Sequence, residues 1–116
     1  MSLAGAQPTR VRARDLGVAP GIFKPGPLNT ITDVAGVRVG QVTLSEGDKV
    51  RTGVTAILPH PGNAYLERVQ AAAFVGNGFG KLTGSTQVNE LGELETPLLH
   101  TCTLCVWKAA DAMVEW

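Results

Sequence analysis

Residues 37–58 run Val37-Arg38-Val39-Gly40-Gln41-Val42-Thr43-Leu44, then Ser45-Glu46-Gly47-Asp48-Lys49, then Val50-Arg51-Thr52-Gly53-Val54-Thr55-Ala56-Ile57-Leu58. This stretch decides the fold. Two β-branched segments flank a polar, glycine-containing turn, which is the signature of a β-hairpin. The turn reads as a loop of about five residues, Ser45 to Lys49. In the first strand Val37 and Val39 lie on one side, while Val42 and Leu44 lie on the other. A bulge at Gly40 would bring all four onto one face, because one extra residue inverts the alternation. Asp33-Val34-Ala35-Gly36 reads as the turn that delivers the chain to this hairpin.

Working outward, Pro59-His60-Pro61-Gly62-Asn63 ends the second strand. Residues 69–75 suggest a third, more buried strand, with a helix as the alternative. A glycine-rich loop follows from Gly76 to Gly84. Ser85 or Thr86 then caps a short helix that runs to about Leu91, and Gly92 stops it. Thr96 to Thr103 reads as a fourth strand. From Leu104 the spacing turns helical, with Val106, Ala109, Ala110, Met113 and Val114 on one face. That pattern reaches Trp116 with no closing glycine, asparagine or proline, so the polypeptide is expected to continue past it. Upstream, residues 1–30 hold Pro8, Pro20, Pro25 and Pro27 with Gly17, Gly21 and Gly26. They read as an extended arm. The fold class is α+β, with residues 31–116 as the opening part of a larger domain.

Ten basic residues balance ten acidic ones. Zero net charge gives no electrostatic grip on nucleic acid or acidic membranes. Arg10, Arg12 and Arg14 read as a solvated stretch of the arm. No apolar run reaches the length of a membrane span. The first residues lack the apolar core of a signal peptide, which makes the cytoplasm the default compartment. Met1 to Leu3 fit an expression scar. Two cysteines are too few for a disulfide framework of the secreted kind.

Each candidate site has a plainer competing account. The glycine loop is not a nucleotide cradle. Gly-x-Gly-x-x-Gly would need glycine where Lys81 or Thr83 stands, and a P-loop fails at Val75 and Leu82. The loop reads as a tight turn packed on a neighbouring strand, or as a place where substrate backbone comes close. Cys102-Thr103-Leu104-Cys105 lies at a strand-to-helix junction, as redox pairs do, but without the usual preceding βαβ unit. It supplies only two of the four ligands of a closed zinc site. Two buried small hydrophobes is the plainer reading. His60 and His100 stand alone and read as structural. Glu90, Glu93 and Glu95 read as a solvated face.

Four blocks add to this. They are Arg14-Asp15-Leu16-Gly17; Asn29-Thr30-Ile31-Thr32-Asp33-Val34 running into Gly36-Val37-Arg38-Val39-Gly40; Arg51-Thr52-Gly53-Val54-Thr55-Ala56-Ile57; and Gly76-Asn77-Gly78 with Thr83-Gly84 and Thr96-Pro97. In order and spacing they resemble the N-terminal region of the DmpA/β-peptidyl aminopeptidase family (peptidase family S58). The resemblance implies a four-layer α/β/β/α sandwich akin to N-terminal-nucleophile hydrolases. It implies a homo-oligomeric precursor that cleaves itself and frees a serine as nucleophile, with that serine's own α-amine as base. It implies hydrolysis of N-terminal residues from short peptides, amides or esters, with no metal or other cofactor.

The family's nucleophile and its partners all lie beyond the matching region, so no catalytic residue is carried over and the nucleophile is expected past Trp116. The partner this implies is the remainder of the same precursor. Asn77, Gly78 and Cys102 are the substrate-binding candidates. Gln41 stands where family members often have His. Cys102 and Leu104 stand where they commonly carry Asn or His. The alternatives are a non-catalytic assembly piece with open sheet edges, a thiol or metal protein built on Cys102 and Cys105, and an ornithine-acetyltransferase-like acyl transfer enzyme.

Overall fold

The computed structural model describes residues 10–116. The readings at Met1–Leu3 and Pro8 lie outside the described residues. Among the described residues five strands and two α-helices follow one another as β1 (Arg38–Glu46), β2 (Val50–Leu58), β3 (Val69–Gln70), α1 (Ser85–Leu91), β4 (Glu93–Leu94), β5 (Leu98–His100) and α2 (Val106–Glu115). A three-stranded sheet has the order β1-β2-β5, and β3 pairs with β4 in a second, two-stranded sheet. All pairings are antiparallel.

The hairpin forms as expected, with two corrections. Pairing starts at Arg38↔Leu58 and closes at Glu46↔Val50, so the loop holds three residues, Gly47 to Lys49. Gly47 takes a positive φ of 50° there. Nor is there a bulge at Gly40. The register runs without interruption, with Gly40 opposite Ala56. The change of apolar parity around Gly40 calls for a bulge only if one face of β1 must stay dry, and every residue of β1 is exposed in this chain. With alternation intact, the sheet has two distinct faces. One carries Val42, Leu44, Val54, Ala56, Leu58 and Leu99. The other carries Gln41, Thr43, Thr55 and His100, with Val39, Ile57 and Leu98 at one end.

The shorter elements differ from expectation for a common reason. The third strand is two residues long rather than seven, because its partner β4 offers only Leu94 and Glu93. One further bond, from the Ala71 N–H to the Gly92 carbonyl (2.8 Å), extends the contact. β5 likewise covers Leu98–His100 rather than Thr96–Thr103. An apolar run becomes a strand only as far as a partner backbone accompanies it. Helix α1 starts at Ser85, one or two residues earlier than expected, because its N-cap is Gly84 in the left-handed region rather than Ser85 or Thr86. The Ser85 hydroxyl instead donates to the Leu82 carbonyl at 3.0 Å. Gly92 ends α1 at φ 69°, as glycine readily does.

Ahead of the hairpin, Ala13–Leu16 and Ile31–Asp33 form short 3₁₀ turns. Arg12 remains exposed and also holds structure. Its guanidinium donates to the carbonyls of Leu28 (3.3 Å) and Asn29 (3.4 Å). Asp33 accepts the N–H groups of Leu28 (2.9 Å) and Thr30 (3.2 Å). The Asn29-to-Asp33 block is therefore a self-bonded turn. Asn29 has a φ of 52°, which asparagine tolerates better than most residues.

Burial is sparse. Ala64, 7% exposed, is the core apolar residue among the described residues, and Pro97 is buried near it. The chain exposes 10139 Å². A folded monomer of this mass would expose about 6,000 Å². The apolar sheet face accounts for part of the excess: Val42 is 72% exposed, and Leu44 and Val54 are also open.

Candidate functional site

The polar face of the sheet is the best-built surface. β5 docks on β2 through Thr55↔His100, Ala56↔Leu99 and Ile57↔Leu98. The Thr101 hydroxyl then donates to the Gly53 carbonyl at 3.0 Å and fixes the exit of β5. A Cβ at Gly53 would run into the Val42 carbonyl oxygen of β1. Glycine there lets the β1 and β2 backbones approach closely, while its carbonyl remains free to accept from Thr101. An open depression of about 470 Å³ spans this face, lined among others by Gln41, Thr43, Arg51, Thr55 and His100. Such a lining supplies amide, hydroxyl, guanidinium and imidazole hydrogen-bonding groups. Sequence reasoning did not assemble it. Gln41 was noted only as a departure and His100 only as a lone histidine. Their meeting depends on the β2–β5 register, which local sequence does not encode.

A second depression, about 380 Å³, lies between the Asn63–Tyr65 turn, Glu95–Pro97 and the end of α2 at Met113, Val114 and Trp116. Neither depression is lined by Asn77, Gly78 or Cys102. Asn77 and Gly78 sit in an exposed loop. That loop does not pack on a neighbouring strand as expected: every residue from Gly76 to Gly84 is exposed, Phe79 at 103%. At Gly78 an added Cβ would meet the Val75 side chain at 2.9 Å.

Cys102 and Cys105 are joined as a disulfide, with Cα atoms 5.2 Å apart. They are not two buried hydrophobes, since Cys102 is exposed and Cys105 half-buried. The turn that closes from the Cys105 N–H to the Cys102 carbonyl (2.9 Å) brings them together. His60 has a structural role. Its Nδ1 accepts the Gly62 N–H (3.0 Å), so Nε2 is the donor to the Glu67 carbonyl (2.7 Å). The carboxylate cluster also needs correction. Glu90 is exposed, but Glu93 and Glu95 both pair with Arg68, at 3.5 and 3.2 Å. The Arg68 guanidinium also lies over the Tyr65 ring, 5.9 Å from its centroid. Among the described residues no three His, Cys, Asp or Glu side chains converge as a metal site. No described helix is long and apolar enough to cross a membrane.

The fold is a mixed α/β chain with two small antiparallel sheets, and comparison with known proteins gives the family. Peptidase family S58 matches residues 29–116, and the chain belongs to that family. It is 44% identical to beta-peptidyl aminopeptidase BapA of Sphingosinicella microcystinivorans, covering 100% of this chain and 31% of that protein. It is also 44% identical to BapA of Sphingosinicella xenopeptidilytica, over 99% of this chain and 29% of the relative. Among solved structures, the PH0078 protein from Pyrococcus horikoshii OT3 superimposes with a TM-score of 0.83 at 50% identity, over 90% of this chain and 32% of that one. A Burkholderia sp. beta-aminopeptidase gives a TM-score of 0.81 at 44% identity, over 90% and 31% of the two chains. The chain thus spans about a third of the length of the relatives it matches.

Proposed function

We propose that this chain is the N-terminal portion of a self-processing serine aminopeptidase that removes N-terminal residues from short peptides, amides or esters. The observation that carries the reading is the 44% identity to two beta-peptidyl aminopeptidases across essentially the whole chain. In this reading the nucleophilic serine lies beyond Trp116 and is freed by self-cleavage of a precursor. Its α-amine takes the hydroxyl proton as the oxygen attacks the amide carbonyl. Residues 31–116 supply part of a four-layer αββα sandwich, and residues 1–30 an arm along it. The open apolar sheet face supports a covering layer contributed by the rest of the precursor. Asn77, Gly78 and Cys102 approach the substrate only once that layer is in place. The assembled enzyme is a cytoplasmic homo-oligomer that needs no cofactor.

The test compares the 116-residue chain with the complete precursor on an aminoacyl p-nitroanilide, with intact mass recorded for both. The precursor should release p-nitroaniline and appear as two cleaved chains. The pure 116-residue chain should release none. Turnover by the pure short chain, or a precursor that stays uncleaved yet active, would overturn the reading.

A further inference from the structure

The disulfide between Cys102 and Cys105 has no evident stabilising purpose. Two residues separate the cysteines, so the bond closes one of the shortest loops a chain can form. A crosslink that short removes little freedom from the unfolded chain. It crosslinks no elements, because both sulfurs lie in the turn that leads into α2. The placement suits exchange chemistry instead. Cys105 is the N-cap of the ten-residue helix α2, no side chain caps that end, and no acidic residue stands in its first turn. The free N–H groups there stabilise a thiolate. Cys102, one turn earlier, is the exposed sulfur, and Cys105 the half-buried one. The Thr101 hydroxyl bond to Gly53 fastens the segment to β2 just before the pair.

We propose that Cys102 and Cys105 form a reversible dithiol–disulfide site that exchanges with low-molecular-weight thiols. A thiolate attacks Sγ of Cys102. The Cys102–Cys105 bond breaks, and its electron pair leaves on Sγ of Cys105 at the helix N-terminus. The result is a mixed disulfide on Cys102. A second thiolate attacks the sulfur of the bound small thiol and releases the Cys102 thiolate. Two electrons and two protons have then passed from two thiols to the protein, and the small molecule leaves as its own disulfide. The reverse sequence restores the bond. The site shares Cys102 with the proposed substrate-binding surface, but its exchange chemistry does not depend on peptidase activity.

The experiment equilibrates the protein, as its own gene produces it, with reduced and oxidised glutathione over a wide range of ratios. Acid quench, alkylation and intact mass then count free thiols. The pair should shift between zero and two alkyl groups as the ratio changes, and shift back when the ratio is reversed. A pair that stays fully oxidised or fully reduced throughout overturns the site. Brief exposure of the oxidised protein to limiting reduced glutathione, followed by acid quench and peptide mapping, should place the glutathione on Cys102. Equal labelling, or labelling mainly on Cys105, overturns the assignment of Cys102 as the attacked sulfur.

Discussion

Gly53 shows how one residue can hold three elements. It has no room for a side chain against the Val42 carbonyl of β1, and its own carbonyl accepts from Thr101 after β5. Gly53→Ala should destabilise the fold by about 1–3 kcal/mol, read from the denaturant midpoint, because backbone rather than a flexible side chain must give way. An unchanged midpoint would show that the three strands are not held as described. Thr101→Val keeps the shape and loses the donor, and should cost about 0.5–1.5 kcal/mol in the same assay. The sequence singles out Gly53 as part of the Arg51–Ile57 block but gives no reason for it. The reason is the approach of the Val42 backbone, 11 positions away on the neighbouring strand, which no local pattern carries.

Elements were legible in proportion to how much of their cause is local. The β1–β2 hairpin and both helices could be placed because alternation, turn composition and 3.6-residue spacing reside within each segment. β4 was missed altogether: Glu93-Leu94 has no strand pattern of its own and is a strand only because Val69-Gln70 lies beside it. The same long-range dependence hid the polar depression, where Gln41 and Thr43 come from β1, Thr55 from β2 and His100 from β5. Arg68, joined to Glu93 and Glu95, reinforces the small sheet from outside. All three side chains are partly solvated, so Arg68→Ala should cost less than about 1 kcal/mol and should be weakened further by salt. A loss of several kcal/mol would mean that a further layer buries this network in the working protein.

For the molecule as a whole, the governing quantity is exposed apolar surface. An area of 10139 Å² is far above the roughly 6,000 Å² of a self-sufficient fold of this mass. Prepared alone, the 116-residue chain should bind a hydrophobic dye and sediment as associated species with rising concentration. A compact monomer that leaves the dye dark would contradict this. The comparisons point the same way, since the chain spans about a third of the length of the relatives it matches. The sequence could not show which face of the sheet stands open.

The unbroken register of β1 has a consequence for how such a strand could change over evolutionary time. Val39 points to one side of the sheet, and Val42 with Leu44 to the other. Inserting one residue after Gly40 would turn all of them the same way. β1 would then carry Val39 on the same face as Val42 and Leu44, and its opposite face would lose that apolar residue. A single codon thus separates a strand with apolar residues on both faces from one with them on a single face. Insertions at that point should be rare wherever the second layer is retained and tolerated wherever it has been lost.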